Sequence, residues 1–267
     1  MNLKGKIAVV TGASSGIGYA TAVELAKLGM NLILVARRED KLTQLKDKLT
    51  TTYQVKVEIV VLDVSDKTKV QDAIMNLPDE WKDIYILVNN AGLALTSSLI
   101  QDGELRNWDT MIDVNLKGLL YMTHAILPIM IKNNSGHIVN IGSTAGHDHY
   151  LGGNVYCATK HAVASISKSL RIDLLGKKIR VTEIAPGAVG DTEFSQVRWD
   201  SKDKAQEFYS TFNPLVAEDI ADAISYCVTR REEVNVSEMI IFPLDQGSAN
   251  HLQRKDGQVG GAFNYKK

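Results

Sequence analysis

Short apolar runs alternate with longer amphipathic stretches along the 267-residue chain. Most of the short runs are rich in β-branched residues and lack polar alternation, which is typical of strands buried on both faces. They predict seven strands, at Ile7–Val10, Asn31–Ala36, Val55–Leu62, Ile84–Val88, His137–Gly142, Arg180–Ala185 and near 238–242. Strands that alternate with helices throughout predict an α/β fold, with a doubly wound, seven-stranded parallel sheet and helices on both faces.

The helices are predicted where apolar positions recur with the helical period. They cover Tyr19–Leu28, 39–49, 66–77, about 104–132, a run from Asn154 through Leu175, and 217–229. The polar and aromatic segment 194–212 predicts a short helical excursion inside a substrate-covering segment of about 190–215. An extended, Gly-rich tail is expected from about 248. We find no repeats or interdomain linker, so residues 1–267 are expected to form a single domain.

Composition narrows the classes of function. Apolar residues make up 45% of the chain and charged residues 23%, as in ordinary soluble globular proteins. A net charge of -1 argues against non-specific nucleic-acid binding and against a basic membrane-facing patch. No apolar run approaches the ~20 residues of a membrane span, and the start of the chain has no signal-peptide pattern. Two cysteines cannot form a disulfide framework, so a cytoplasmic location is expected.

A glycine-rich loop lies between the first strand and the first helix. Glycine permits the tight turn and lets the backbone approach a pyrophosphate, which the exposed amides at the helix start then hold. Glycine turns are common, so the loop is informative because a strand precedes it and a helix follows it. The arrangement predicts dinucleotide binding, with contacts from Gly12, Ser14, Ser15, Gly16, Ile17 and Gly18.

The end of the second strand indicates which dinucleotide binds. In a βαβ nucleotide fold, an acidic residue about 20 positions after the glycines binds the ribose hydroxyls of NAD. Arg37 and Arg38 stand there instead, and two guanidinium groups suit the 2′-phosphate of NADP. The alternative is that both arginines only open the charged helix 39–49 and face water. We favour NADP(H) because the strand-end acid is absent.

Further cofactor contacts are expected where other strands end, since ligands of open α/β sheets bind outside the carboxyl ends of the strands. Asp63 is placed there to meet the adenine amino group, and the small residues after the fourth strand leave room for a cofactor. The expected contacts are Asp63, Val64, Asn89, Ala91, Gly92, Pro186, Gly187, Val189 and Thr192.

Tyr156 and Lys160 are the strongest catalytic candidates. Positions four apart lie on one helix face, so the two side chains point the same way. A phenol is a poor base at neutral pH, but a nearby ammonium group favours the phenolate and makes the pair a tunable acid–base catalyst. In most proteins a tyrosine and a lysine at this spacing simply lie next to each other on the exposed face of a helix. Here the upstream motifs favour the catalytic interpretation.

Two further polar residues, Ser143 and Asn115, are candidates for a role in the site. Ser143 lies just past the carboxyl end of the fifth strand. Asn115 lies among apolar neighbours in the long helical region, and a buried Asn must be hydrogen-bonded. It could either tie off a helix kink or hold a water molecule. Cys157 is rotated about 100° from Tyr156 on the helix, so we expect a small buried residue rather than a nucleophile.

The run His147-Asp148-His149 is unexpectedly polar for the approach to a substrate pocket. Two histidines and an aspartate offer potential zinc ligands. No further ligand at a suitable spacing and no cysteine partner accompanies them in the sequence, so no metal site is expected.

Together these motifs resemble the short-chain dehydrogenase/reductase superfamily, over nearly the whole chain and at the expected spacings. The motifs are Thr11-Gly12-(x)3-Gly16-Ile17-Gly18, Asn89-Asn90-Ala91-Gly92, Asn115, Ser143, Tyr156-x-x-x-Lys160 and Pro186-Gly187. The resemblance implies a Rossmann fold. Four longer stretches resemble the NADP-dependent 3-hydroxy acid dehydrogenases and the similar sulfoacetaldehyde reductases. They are Leu77 to Trp81, Leu87 to Leu95, Asn140 to Gly146 and Gly190 to Arg198.

The resemblance also implies roles. NADPH would deliver hydride to a carbonyl while Tyr156 delivers the proton. Lys160 would lower the tyrosine pKa and bind the nicotinamide ribose, Ser143 would donate a hydrogen bond to the developing alkoxide, and Asn115 would hold a water that links Lys160 to solvent. Members of the superfamily commonly pair the helices at 104–132 and 156–175 across two-fold axes, so a homotetramer is expected.

The implied substrate is a small 3-hydroxy acid such as serine or 3-hydroxypropionate. Its anionic group calls for a cation beyond Tyr156 and Ser143, and Arg198 is the candidate because the segment after Pro186-Gly187 covers the substrate. Arg198 could instead be a surface residue on a mobile lid, and His147 or His149 could supply the charge in its place. Two rival functions stay open: a reductase of sulfoacetaldehyde or a 3-oxoacyl compound, and a non-enzymatic module that senses NADP(H).

Overall fold

A computed structural model describes residues 1–261 of the chain. Seven strands form the main sheet: β1 (Ile7–Thr11), β2 (Asn31–Ala36), β3 (Val57–Val61), β4 (Ile84–Asn89), β5 (Gly136–Ile141), β6 (Ile179–Pro186) and β7 (Glu238–Ile241). The α-helices are α1 (Gly16–Lys27), α2 (Glu39–Tyr53), α3 (Lys67–Met75), α4 (Leu105–Ile112), α5 (Leu119–Asn133), α6 (Asn154–Asp173), α7 (Phe194–Trp199), α8 (Lys202–Ser210) and α9 (Ala217–Thr229).

The main sheet is parallel throughout, in the order β3-β2-β1-β4-β5-β6-β7. The chain winds outward from β1 through β2 to β3, then returns to the other side of β1 with β4 and continues to β7. The crevice between the carboxyl ends of β1 and β4 is therefore the point where the winding reverses. Open α/β sheets bind their ligands at this switch point. The predicted single-domain fold, doubly wound with seven parallel strands, is confirmed.

Successive side chains of each central strand enter two different cores. In β1, Ala8 and Val10 pack on the face covered by α1, α2 and α9, whereas Ile7 and Val9 pack on the face covered by α3 and α5. Because both faces of a parallel sheet are covered by helices, most positions of such a strand are apolar. This explains why most of the strands appear in the sequence as mainly apolar runs.

The helical region predicted at about 104–132 consists of three parts. Between α4 and α5 lies a π-helical segment, Asp113–Gly118, which contains Asn115. By length and composition, Leu105–Asn133 would be able to cross a membrane, with a mean hydropathy of 1.3 in its most apolar window. Met122, Ile126 and Met130 nevertheless pack on the sheet, as the side chains of a core helix do.

The C-terminal region differs from the extended tail that the sequence predicts. Three short strands, β8 (Gln246–Ser248), β9 (His251–Gln253) and β10 (Val259–Gly261), form a small antiparallel sheet. Leu252 of β9 is buried against Phe212, which follows α8. The last part of the predicted tail, 262–267, lies outside the described residues. Elsewhere the predicted ends of helices and strands shift by a few residues.

Candidate active site

A cavity of about 410 Å³ opens at the carboxyl ends of β1, β4, β5 and β6. It contains 19 of the 22 residues that the sequence analysis singled out as catalytic or binding residues. The residues are Gly12, Ser14, Ser15, Gly16, Ile17, Arg37, Arg38, Asp63, Val64, Ala91, Gly92, Ser143, Tyr156, Lys160, Pro186, Gly187, Val189, Thr192 and Arg198. The remaining three, Gly18, Asn89 and Asn115, lie behind the cavity wall.

The glycine loop is shaped by close backbone approaches. Gly12 and Gly16 have φ angles of 67° and 52°, in the left-handed region that glycine adopts without strain. A Cβ atom on Gly18 would lie 2.4 Å from the carbonyl oxygen of Gly12, so Gly18 serves helix–strand packing rather than ligand contact. The loop is held from β4, because Thr11 Oγ1 accepts hydrogen bonds from the amides of Asn90 (3.0 Å) and Ala91 (2.9 Å).

The Asn89 side chain, for which a cofactor contact is predicted, does not line the cavity. The Asn89 amide is buried and donates to Thr123 Oγ1 and Asn140 Oδ1, both at 3.0 Å. The neighbouring Asn90 lines the cavity instead. Consecutive side chains alternate between the two sides of a strand, so a motif with two adjacent asparagines does not reveal which one faces the ligand.

Arg38 is bound to the glycine loop, whereas Arg37 is more exposed. The Arg38 guanidinium donates to Ser14 Oγ (3.0 Å) and Ser15 Oγ (2.9 Å), and it lies 2.8 Å from the Glu193 carboxylate. Arg37 Nη1 lies 3.7 Å from Asp63 and its side chain is 69% exposed. Both arginines line the cavity, so the alternative that they only face water does not hold. Sequence reasoning missed Glu193, the acid that places Arg38.

Tyr156 and Ser143 approach each other from α6 and from the end of β5. Burial raises the pKa of the Tyr156 phenol well above its ordinary value, Tyr150 raises it further, and a hydrogen bond with Ser143 opposes the rise. The resemblance implies that Lys160 lowers this pKa. Lys160 Nζ lies 5.9 Å from the centroid of the Tyr156 ring, and the loss of hydration dominates.

The Lys160 side chain is buried under the end of β5. Its ammonium group donates to the carbonyl oxygen of Ile141 at 2.8 Å. Burial lowers the pKa of Lys160 to about 8, although the negative charge of Glu183 acts in the opposite direction. A lysine in this state carries a proton that is easily released near neutral pH.

Asn115 is fully engaged by protein groups. Its Oδ1 accepts from the Leu93 amide at 2.8 Å, and its Nδ2 donates to the Leu93 carbonyl at 2.8 Å and to Thr159 Oγ1 at 3.1 Å. The side chain thus ties the π-helical segment to the loop after β4 and to α6. These contacts match the structural role that the sequence left open, and the water-holding role stays a prediction.

Arg198 faces the cavity from α7 and is only 4% exposed, so it is not a surface residue on a lid. Its guanidinium carbon lies 4.9 Å from the centroid of the Tyr150 ring. The Arg198 carbonyl accepts from the Thr96 amide at 3.0 Å, and Ser195 on the same helix shares a 2.7 Å hydrogen bond with Tyr209. The segment after β6 is therefore closed onto the site by contacts along its length.

The run His147-Asp148-His149 does not line the cavity, contrary to expectation. The His149 ring stacks on His161, with 4.6 Å between the ring centroids. His147 points away toward Glu183 and Glu238. Cys157 is buried, and burial raises the pKa of its thiol, so it lacks the character of a nucleophile.

Comparison with known proteins agrees with this geometry. The family model for the short chain dehydrogenases matches residues 6–203. The chain belongs to the short-chain dehydrogenase family. The resemblance that the motifs indicated is confirmed, including the 3-hydroxy acid dehydrogenase subgroup.

Three relatives of this short-chain dehydrogenase are informative. An NADP-dependent 3-hydroxy acid dehydrogenase of Schizosaccharomyces pombe is 45% identical over 255 residues, which cover 95% of this chain and 98% of the relative. Sulfoacetaldehyde reductase 2 of Chromohalobacter salexigens is 44% identical, covering 90% of this chain and 95% of the relative. A solved serine dehydrogenase, in a closed form complexed with NADP+, is 43% identical with a TM-score of 0.87, covering 91% of this chain and 97% of that one.

The buried Lys160 predicts a pH-dependent stability. Below pH 8 the Lys160 amine is charged in the folded and in the unfolded chain, and burying the charge opposes folding. Above its ordinary pKa of 10.5 the amine is neutral in both, so burying it no longer costs this free energy. Between these limits the unfolded chain binds more protons, so stability rises with pH. The free energy of unfolding of the wild type, relative to Lys160→Met, should therefore increase by roughly 1–3 kcal/mol.

Urea unfolding at several pH values measures this difference. Lys132→Met, at an exposed position of α5, is the matched control and should follow the wild type. Parallel profiles for the wild type and Lys160→Met would show that Lys160 keeps its ordinary pKa.

Proposed function

We propose that this protein is an NADP-dependent oxidoreductase that interconverts a small 3-hydroxy acid and its carbonyl, with Tyr156 as the acid and base. The observation that carries the proposal is one cavity lined by Ser143, Tyr156 and Lys160 together with a buried arginine, Arg198. The subgroup to which the relatives belong supports the same substrate class.

The cofactor is NADP(H), in keeping with the NADP-dependent relatives. The residues fit it: the glycine loop has the left-handed turns and close packing that a pyrophosphate cradle needs, and Arg38 with Ser14 and Ser15 offers a guanidinium and two hydroxyl groups for the 2′-phosphate. The bound cofactor supplies or accepts the hydride. Lys160 and Tyr156 would hold its nicotinamide ribose, next to Gly92, where a Cβ atom would lie 3.6 Å from Lys160 Nζ.

The protein supplies the proton. The raised pKa of Tyr156 keeps its hydroxyl protonated at neutral pH, so the phenol donates a proton to the oxygen of a carbonyl substrate in the direction of reduction. Ser143 donates a hydrogen bond to the same oxygen as it gains charge, a contact whose loss typically costs about 2.7–4 kcal/mol of transition-state stabilisation. In the oxidation direction Tyr156 must accept the proton, and the ammonium of Lys160 would stabilise the phenolate.

The Arg198 side chain would hold the acid group of the substrate. A guanidinium binds a carboxylate or a sulfonate through paired hydrogen bonds, and burial strengthens such contacts. The aromatic residues Tyr150, Phe194, Phe208 and Tyr209 also line the cavity and exclude water around this contact. A short anionic substrate therefore fits better than a long acyl chain or a steroid.

The alternative with a specific observation behind it is the reduction of sulfoacetaldehyde, because a reductase of that name is among the similar proteins. Its sulfonate would occupy the same place as a carboxylate. A 3-oxoacyl substrate is less compatible with the charged group at the end of the cavity. A module that only senses NADP(H) would have no need for Ser143, Tyr156 and Lys160 together, so it is the weakest alternative.

We further propose a cytoplasmic homotetramer that binds neither nucleic acid nor membranes. Large apolar side chains are exposed on the helices that the family uses for pairing, namely Leu120 and Ile131 on α5, Ile172 on α6 and Leu175 just after it. Exposed apolar surface of this kind is usually covered by another chain. Light scattering at working concentration tests the proposal, since a mass of one chain, 29.3 kDa, would contradict it.

The function is tested by following NADPH oxidation with malonic semialdehyde, sulfoacetaldehyde and a β-ketoester. We expect turnover of malonic semialdehyde by the wild type and a loss of at least a hundredfold in Tyr156→Phe, because the general acid is gone. Binding of NADPH, followed by fluorescence, should weaken far less than turnover in the same variant, because Lys160 and the glycine loop still hold the cofactor. Turnover of Tyr156→Phe within tenfold of the wild type would rule out the proposed acid.

The two arginines should differ in their effect on NADPH. A charge-assisted contact to a phosphate contributes about 1.5–3 kcal/mol, so Arg38→Ala should raise the KM for NADPH at least tenfold. Arg37→Ala, at the more exposed position, should raise it less. The KM for NADH is the control and should stay nearly constant, since NADH has no 2′-phosphate. Equal losses with both cofactors would mean that Arg38 only shapes the glycine loop.

Arg198→Ala should impair the acid substrate selectively. We expect kcat/KM for malonic semialdehyde to fall at least a hundredfold, whereas kcat/KM for its uncharged methyl ester should fall less than tenfold. Arg198→Lys keeps the charge but loses the paired geometry, and it should lie between the two. If acid and ester lose activity equally, Arg198 serves to position α7 and does not contact the substrate.

A further inference from the structure

Three ionisable side chains converge behind the active-site wall, outside the cavity. His147 follows β5, Glu183 lies in β6 and Glu238 begins β7. His147 Nε2 lies 3.4 Å from Glu183 Oε1 and 3.7 Å from Glu238 Oε1, and one donor atom from each residue falls within 4.8 Å of the others. Residues that are 36 and 55 positions apart are thus brought together by the pairing of β5, β6 and β7.

Glu183 is the central member of this cluster and is fully buried. Within residues 1–261, neither of its carboxylate oxygens has a hydrogen-bond partner, and the same holds for His147 Nε2 and Glu238 Oε1. An isolated buried carboxylate is among the costliest groups in a protein unless an opposite charge or a metal ion compensates for it. Burial accordingly raises the pKa of Glu183, the contact with His147 opposes the rise, and Glu238 adds to it.

The lysines near the cluster do not bind the Glu183 carboxylate directly, although the charge of Lys160 lowers the pKa of Glu183. Lys160 donates its hydrogen bond to the Ile141 carbonyl, and Lys168 is 58% exposed and reaches only Glu238, at 3.8 Å. The Glu183 carboxylate packs against Gly142, a position with no space for a side chain. Its Oε1 lies 3.4 Å from His147 Nε2, which also approaches Glu238.

The two distances from His147 Nε2, 3.4 and 3.7 Å, are close to the separation of two ligands of one small cation, and the third distance is within 4.8 Å. Two ligand atoms that are each about 2.1 Å from an ion, at the tetrahedral angle, lie about 3.4 Å apart. One imidazole nitrogen and two carboxylate oxygens form a donor set suited to divalent transition metals rather than to Mg²⁺ or Ca²⁺. We propose that His147, Glu183 and Glu238 bind one divalent transition-metal ion, for which Zn²⁺ is the probe.

A cation in this place would act on the framework and not on the substrate. It would join the loop after β5 to the paired strands β6 and β7, next to Gly142 and the adjoining Ser143. The sequence predicts no metal here because no further ligand stands close to His147 along the chain. The structure separates His147 from His149 and supplies carboxylates from two later strands.

The test uses the full-length protein after treatment with a chelator and exchange into metal-free buffer. Isothermal titration with ZnCl₂ should show one site per chain, and Zn²⁺ at a hundredfold excess over Kd should raise Tm by roughly 5–10 °C. MgCl₂ should give neither effect. His147→Ala and Glu238→Gln should each weaken the site at least tenfold.

His124→Ala is the matched control, because His124 is exposed on α5 and far along the chain from the cluster; this variant should bind Zn²⁺ like the wild type. Glu183→Gln should also lose the site, and His147→Ala keeps the test decisive if that variant does not fold. The proposal is overturned if the wild type shows no stoichiometric binding. It is equally overturned if His147→Ala binds Zn²⁺ unchanged, which would place the ion at another histidine.

Discussion

The burial of the Lys160 ammonium group is the constraint on which the site depends. A charged group out of water must be held by fixed dipoles or opposite charges, and here the Ile141 carbonyl accepts its hydrogen bond while Glu183 lies beyond. Because that carbonyl ends β5, the contact fixes α6 against the sheet. The same contact brings Tyr156, one turn earlier, beside Ser143. Chain packing and catalytic geometry are thus set by one interaction.

The glycines around this lysine follow from the same constraint. A Cβ atom on Gly146 would lie 2.7 Å from the Lys160 carbonyl oxygen, and one on Gly92 would point at its Nζ. Side chains at these positions would push α6 away from the sheet or fill the space beside the ammonium. Gly142 has a similar relation to Glu183, which lies on the other side of the strand end. The small residues Gly92 and Gly146 leave the space in which the long cationic side chain of Lys160 is enclosed.

The fold and most of the site could be predicted from the sequence because both rest on local patterns. Apolar runs fix the strands, and the carboxyl ends of parallel strands meet at one edge, so motifs such as the glycine loop and Ser143 had to converge. What failed depends on the direction of single side chains. Asn89 and Asn90 differ only in which side of β4 they face, and His147 turns toward Glu183 and Glu238, on strands much later in the chain. The role of Glu193 could not be predicted either, because its contact with Arg38 joins residues far apart in the sequence and no hydrophobic pattern indicates such a pair.

Arg38 joins two parts of the molecule that are far apart in sequence. Its guanidinium holds the hydroxyl groups of the glycine loop and, 155 residues later, the carboxylate of Glu193 at the start of the α7 segment. An anion that binds Arg38 must share this guanidinium with Glu193. If binding of the anion changes how stably α7 packs on the site, the packing of α7 must change the affinity of Arg38 for the anion by the same factor, because the two equilibria are thermodynamically linked. A single side chain thereby couples the cofactor end of the cavity to the segment that bears Arg198.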